Sequence, residues 1–200
     1  VSIIIPSRNE SQTIIKCLEC LKKQEYPIDK FEIIPVNDGS EDETGNILNK
    51  MAKNNSIIRP VHISASKRRD HGKLNAIDEG IQLSNGEIII TTDADIWMES
   101  NWMSYMVEGY DEKTGLIIGM TLDVLSPHPV HAFQALDGAG IRIISAALAE
   151  IGRPITCQGS NLSFRRDAYD AVRERVLALA TSCGNREWLM QEIDIATDWK

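Results

Sequence analysis

Cysteine is scarce in this sequence: four in 200 residues, Cys17, Cys20, Cys157 and Cys183. So few, without an even framework of spacings, exclude a disulfide scaffold and suit a reducing cytoplasm. Cys17 and Cys20 form a lone C-x-x-C; a structural zinc needs two more ligands at matching spacing, and none is nearby. The four histidines, His62, His71, His128 and His131, make no metal spacing with the cysteines. No run approaches the roughly 18 consecutive apolar residues of a membrane span. Lys and Arg are outnumbered by Asp and Glu, 21 to 29, for a net charge of −8. General nucleic-acid binding leans on cationic side chains and is excluded as a leading reading. An anionic small ligand is compatible with this charge only if a local cation receives it. No G-x-S-x-G elbow and no P-loop are present, which disfavours hydrolase and P-loop nucleotidase chemistry.

The remaining composition, 42% hydrophobic and 25% charged, is that of an ordinary globular domain with a real core. The sequence opens on Val1 inside an apolar run and stops at Lys200 without a closing signal, so a fragment of a longer chain is expected. Targeting or membrane segments would then lie outside it.

The first half alternates strand and helix signals. Val1–Ile5 reads as a buried strand, and Ile14, Ile15, Leu18 and Leu21 recur at helical spacing over 10–23. Phe31–Val36 reads as a second strand, followed by the turn Asn37-Asp38-Gly39-Ser40. Ser40 and Glu43 resemble a capping box for a helix carrying Ile47, Leu48 and Met51. Ile57–Ile63 reads as a third strand, with Pro60 marking an edge or a break. A polar, basic loop (64–72, with Arg68 and Arg69) precedes a helix carrying Leu74, Ile77 and Ile81. A fourth strand, Gly86–Thr92, ends at Asp93-Ala94-Asp95. Four such repeats predict a mostly parallel sheet with helices on both faces. The second half is less regular: a helix over 102–110, a strand over 116–122, a long Ala-rich helix over 129–151, a strand over 155–164 broken at Gly159, and helices near 167–180 and 187–196. Composition shifts near residue 98. This predicts one domain over 1–200, with a ligand-binding half (1–98) and a second lobe (99–200).

In parallel α/β sheets ligands bind at the carboxyl ends of the strands. Ser7–Glu10, Asn37–Ser40 and Asp93–Asp95 fall there. Asp93 and Asp95 can share a hard divalent cation, since Mg²⁺ and Mn²⁺ take few carboxylates plus substrate phosphates; a solvated turn gives the same short pattern. Asp38 suits a base N–H, and also suits a turn cap. Lys73, after Gly72, could steady a phosphate or project into solvent. Gly159-Ser160-Asn161 could line a sugar pocket or form a strand bulge.

Together these segments resemble glycosyltransferase family 2, an inverting group with the GT-A fold. Val1–Glu10 (VSIIIPSRNE) is similar to its first strand and donor-site loop, and Val36–Thr44 (VNDGSEDET) to its V-D-D-G-S-x-D-x-T segment. Gly72-Lys73 with Ala76, Ile77, Asp78 and Gly80 is similar to its G-K-x-x-A-L-N-x-G helix. Gly86-Glu87 leading to Asp93-Ala94-Asp95 is similar to its G-E-x-I-x-x-x-D-A-D, and Gly159–Arg166 (GSNLSFRR) to its acceptor-side G-x-N-x-x-F-R-R. The resemblance covers nearly the whole chain.

It implies a Rossmann-like sheet with an acceptor-side lobe. It places Asp38 at a uracil-type base, with Pro6, Arg8 and Glu10 lining the same pocket, and Lys73 near the base or phosphates. Asp93 would serve the sugar-diphosphate, Asp95 the metal (Mg²⁺ or Mn²⁺), and Asn161 the acceptor side. The chain departs from the family at Asn37 (usually Asp), at Asp78 (usually Asn), and at the base. Asn185 and Arg186 stand where an acidic pair is usual, and Arg cannot accept a proton. Glu187 is the substitute base, ahead of Glu192 and Asp194. The implied activity is inverting transfer from a nucleotide sugar, a UDP-sugar first, to a glycan or lipid-linked acceptor. The setting is the cytoplasm, at the inner face of the cell membrane if regions outside this chain associate with it. A degenerate nucleotide-binding domain of the same fold is the alternative, and a nucleotidyltransferase a more distant one.

Overall fold

In the computed structural model, residues 1–64, 72–123, 129–153 and 159–182 are described. Six strands form one sheet: β1 (Ser2–Ser7), β2 (Glu32–Asp38), β3 (Val61–Ile63), β4 (Ile88–Thr92), β5 (Leu116–Ile118) and β6 (Asn161–Arg165). Their order is β3-β2-β1-β4-β6-β5. β1 pairs in parallel with β2 and β4, and β2 with β3, while β6 runs antiparallel to both β4 and β5. One sheet therefore takes strands from both sides of residue 98.

The apolar runs are continuous because both faces of the sheet are covered. α1 (Ile14–Lys22), α2 (Thr44–Lys53) and α4 (Trp102–Glu108) close one face over Ile3, Ile5, Ile33 and Ile90. α3 (Gly72–Leu83) and α6 (Arg166–Ser182) close the other over Ile4, Ile34, Val36 and Ile89. α3 lies hard against the sheet at Gly80, where a Cβ would stand 2.7 Å from Ile4 Cγ2 and 2.9 Å from Val36 Cγ2.

Three sequence readings change. The Ser40–Glu43 capping box does not form. α2 starts at Thr44, whose N–H donates to Asp42 Oδ1 (3.0 Å), while Ser40 Oγ accepts from Asn9 N–H. The strand over 57–63 is divided: Ile58 makes an isolated parallel bridge to Ile33, and β3 begins only after Pro60, because proline has no N–H to give the ladder. The strand expected over 116–122 ends at Ile118, and β6 begins at Asn161. The expected helix over 187–196, residues 155–158 of the expected strand, and Arg68 and Arg69 lie outside the described residues.

α5 (Pro129–Glu150) is a 22-residue helix in which only Ser145 is buried. His131, Gln134, Asp137 and Arg142 interrupt its apolar run, so no long consecutive stretch is visible in the sequence. Over its most apolar 18 residues the mean hydropathy is 1.2, so by length and composition alone the helix could cross a membrane.

Candidate functional site

The carboxyl ends of β1, β2 and β4 lie side by side, and the loops beyond them enclose a cavity of about 360 Å³. Its walls carry Pro6, Arg8, Glu10, Asp38, Lys73, Asp93 and Asp95, together with Gly72. The sequence puts these residues in four separated segments; parallel pairing brings them to one place.

The loop after β1 is held by the loop after β2. Asn9 takes a left-handed backbone (φ 57), which Asn tolerates better than most residues. Its side-chain Oδ1 accepts from Glu41 N–H (2.9 Å). Glu10 N–H donates to Thr44 Oγ1 (2.8 Å) and Ser11 N–H to Asp42 Oδ2 (3.1 Å). Burial works to raise the Asp42 pKa, but hydrogen bonds from Thr44 and Ser11 prevail and hold it below the usual carboxylate range. Thr44 is fully buried. These stitches fix where Arg8 and Glu10 stand, and nothing in the spacing of Asp42 and Thr44 announced that role.

Asp38 ends β2 and is 4% exposed. Gly39 follows with φ 62, a conformation that favours glycine, and turns the chain away. Asn37 is also buried. Its Oδ1 accepts from Ser40 N–H (3.0 Å), so its amide nitrogen is the group that faces His62 Nδ1 (3.1 Å). The amide donates, His62 Nδ1 accepts, and the ring proton sits on Nε2, which faces Asn49 Oδ1 at 3.0 Å. An Asp, usual in the family at position 37, has no proton for that bond.

α3 brings the cation. At its first residue, Gly72, an added Cβ would lie 2.6 Å from Asp38 Oδ2, so glycine is what lets this helix start against the carboxylate. Lys73 follows, and its Nζ sits 2.7 Å from Asp93 Oδ1, with side chains 54% and 28% exposed. The sequence reading had Lys73 near a base or phosphates; the structure places it against Asp93. The pair is half in solvent, so it contributes about 1 kcal/mol or less.

Beneath the Asp93-Ala94-Asp95 turn, Ala94 is buried in the core. Cys17 Sγ lies 3.6 Å from Asp93 O. Burial first, then the charges of Cys20, Asp95 and Asp93, push the Cys17 thiol up to about 12. It is an inert packing thiol, in keeping with a structural role for the C-x-x-C.

Asp95 is exposed at the cavity mouth. Among the described residues no three His, Cys, Asp or Glu side chains group as a closed metal cage. Two carboxylates one residue apart beside an open cavity fit a Mg²⁺ or Mn²⁺ ion that completes its oxygen shell with phosphates and water.

Asn161 opens β6 and is 7% exposed. Its Oδ1 accepts from Trp102 Nε1 (3.0 Å), its Nδ2 donates to Met120 O (3.1 Å), and a Cβ on Gly119 would clash with it at 2.4 Å. It is not among the residues lining the cavity described above. The arginines after Phe164 act as staples. Arg165 donates to the Thr114 and Asp111 carbonyls, and Arg166 to those of Gly86 and Ile81. Glu187 lies outside the described residues.

The sequence also matches the family model for glycosyl transferase family 2 over residues 2–173. It is 38% identical over 121 residues to the probable glycosyltransferase YdaM of Bacillus subtilis, a match covering 60% of this chain and 29% of that protein. It is 31% identical over 121 residues to the poly-beta-1,6-N-acetyl-D-glucosamine synthase of Staphylococcus aureus, covering 60% of this chain and 28% of that protein. The matched part is thus under a third of the length of these relatives. Among solved structures, the mannosyltransferase PcManGT from Pyrobaculum calidifontis, in complex with GDP-Man and Mn²⁺, superposes with a TM-score of 0.62 at 21% identity. That match covers 86% of this chain and 46% of PcManGT. TarS 1–349 of S. aureus with UDP-GlcNAc gives 0.60 at 19% identity, over 86% and 47%. These likenesses identify the sheet and its flanking helices as a GT-A fold. With the family model matched over most of its length, the chain belongs to glycosyl transferase family 2.

Proposed function

We propose that this domain transfers a sugar from a UDP-sugar to a hydroxyl of a glycan or lipid-linked acceptor, with inversion at the anomeric carbon. The observation that carries the reading is the convergence of Asp38, Lys73, Asp93 and Asp95 on one cavity at the ends of three adjacent parallel strands. The activities named for the relatives and the nucleotide sugars bound in the two structural neighbours support the same class.

In this reading Asp38, with Pro6 beside it, accepts from the imide N–H of the base. Lys73 exchanges its Asp93 contact for a diphosphate oxygen, which the exposed geometry of the pair allows. Asp95, with Asp93 beside it, would hold Mg²⁺ or Mn²⁺, which would supply charge stabilisation to a departing nucleoside diphosphate. Glu187 takes the acceptor proton. The reaction belongs in the cytoplasm, at the inner face of the membrane if further chain tethers it there.

Calorimetric titration of UDP and of GDP, each with Mn²⁺ and then with EDTA, tests the donor half. Metal-dependent UDP binding that disappears in Asp95→Ala is expected. GDP binding with no UDP binding would replace the donor base, and binding of neither to folded protein would overturn the proposal. Glu187→Gln is expected to lower transfer by 10²-fold or more, about what general-base catalysis supplies, while UDP affinity stays unchanged.

A further inference from the structure

β2 and β3 pair Asn37 with His62 in register, and a chain of hydrogen bonds runs through the two side chains. His62 Nδ1 accepts from the Asn37 amide (3.1 Å), Asn37 Oδ1 accepts from Ser40 N–H (3.0 Å), and His62 Nε2 donates to Asn49 Oδ1 on α2 (3.0 Å). Gly45 leaves room for the pair, since a Cβ there would stand 2.9 Å from Asn37 Nδ2. Asn37 is buried, while His62 is exposed and open to a proton from solvent. The Asn37–Ser40 bond closes the turn that follows Asp38. Ser40 Oγ in turn accepts from Asn9 N–H (3.0 Å), and Asn9 Oδ1 accepts from Glu41 N–H (2.9 Å). Arg8 and Glu10 flank Asn9, and both line the cavity with Asp38. The orientation of one amide therefore bears on two walls of the site.

That amide satisfies both its partners only while His62 is neutral. A protonated imidazole donates from both nitrogens. Its Nδ1–H would then face the Asn37 NH2, donor against donor. Turning the amide over offers Oδ1 to the ring but sets the NH2 against Ser40 N–H. Either way one bond is lost, which shifts an equilibrium by roughly 2- to 10-fold. An Asp at position 37, usual in the family, would behave in the opposite sense. Its two oxygens accept from Ser40 N–H and from a protonated ring together.

Among the described residues, the groups that face the ring are uncharged: the Asn37 amide from β2 and the Asn49 amide from α2. Lys53 stands one turn beyond Asn49 on the same row of α2, and a lysine keeps its charge across the range in which histidine titrates. Asp38 alternates to the other face of the sheet, where Gly72 of α3 meets it. Histidine changes charge between about pH 5 and 8.

We infer that Asn37 and His62 are a proton-sensitive positioning pair for the nucleotide site: neutral His62 holds the turn after Asp38, and proton uptake loosens that turn and weakens nucleotide binding. The effect on binding rests on the UDP-sugar reading above; the effect on the turn does not. UDP with Mn²⁺ is titrated calorimetrically at about pH 5.5 and about pH 8 into wild type, His62→Gln and Asn37→Asp. Gln keeps an acceptor for the Asn37 amide and takes no proton. Protonation of UDP itself is common to the three proteins and cancels between them. Relative to His62→Gln, wild type is expected to lose about fivefold in affinity at the lower pH, and Asn37→Asp to gain by a similar factor. In ¹⁵N NMR spectra of the ligand-free chain, the Ser40 amide resonance is expected to follow the His62 ring through its titration in wild type and to stay fixed in His62→Gln. The same pH dependence of UDP affinity in all three proteins, or a Ser40 resonance indifferent to the ring, would overturn the inference. Binding of no nucleotide, with a Ser40 resonance that follows the ring, would strike the UDP-sugar reading and support the pair.

Discussion

Gly72 shows how narrow the tolerances of the cavity are. A methyl group there would lie 2.6 Å from Asp38 Oδ2, inside any allowed contact, and the neighbour is a carboxylate held at a strand end. Gly72→Ala is therefore expected to displace either Asp38 or the first turn of α3. UDP affinity should fall at least ~10-fold, with a loss of stability of about 1 kcal/mol or less because the helix itself gains from alanine. Calorimetry and thermal melting on the same sample separate the two effects. Equal affinity in Gly72→Ala would remove Asp38 from the base-binding role. Lys73→Met tests the neighbouring contact. It should leave stability nearly unchanged, as expected for a half-exposed pair, yet weaken nucleoside diphosphate far more than nucleoside, measured by competitive titration.

At the scale of elements, α3 and α6 are joined by a buried charge. Asp78 is 4% exposed and accepts from Arg173 Nε (2.6 Å), Arg173 Nη2 (2.8 Å) and Tyr169 Oη (3.0 Å). The family usually has Asn at this position, and the structure gives the reason Asp suits here: a bidentate guanidinium faces it. Asp78→Asn keeps the volume but removes the charge opposite Arg173, and is expected to cost about 2–4 kcal/mol. Urea denaturation would measure it, and Arg173→Met in the same background should recover part of the loss. Burial, then the Asp78 charge, raises the Tyr169 pKa above that of an ordinary tyrosine. Tyr110 is raised in the same sense, chiefly by burial. The unfolded chain then loses these protons at lower pH than the folded one. Stability is full below about pH 10 and falls as pH rises through the folded values. Tyr169→Phe should flatten that alkaline limb in a pH series of urea midpoints. A limb of unchanged slope would assign the loss to other groups.

For the molecule as a whole, ligand binding at a site made from three strands and α3 should register as global stability. UDP with Mn²⁺ at about 100 times its dissociation constant is expected to add about 2.7 kcal/mol. For a domain of this size that is a rise in Tm of roughly 5–10 °C. Asp95→Ala should show no such rise in a thermal-shift series. The alternating βα pattern, the two-faced sheet and the family motifs were legible in the sequence because each rests on local periodicity or on short segments. Ile3–Ile5 could only be a strand buried on both sides, and Asp93–Asp95 had to follow β4. The insertion of β6 antiparallel between β4 and β5 was not legible, since strand order depends on pairings between residues some 70 positions apart.

The sequence by itself determined the alternation of strands and helices in the first half, the charged rim at the strand ends and the family, because backbone propensity and apolar spacing act over a few residues. Only the tertiary structure decided that Lys73 meets Asp93, that Asn161 is held by Trp102 and Met120, and that Asp42 and Thr44 stitch the first loop. It alone decided which face of α5 turns outward. The sequence showed only a long Ala-rich helix over 129–151; in the structure Arg142 pairs with Asp123 while Phe133 and Leu136 are exposed. Orientation of a helix is set by what it packs against, and that information is carried by the rest of the chain.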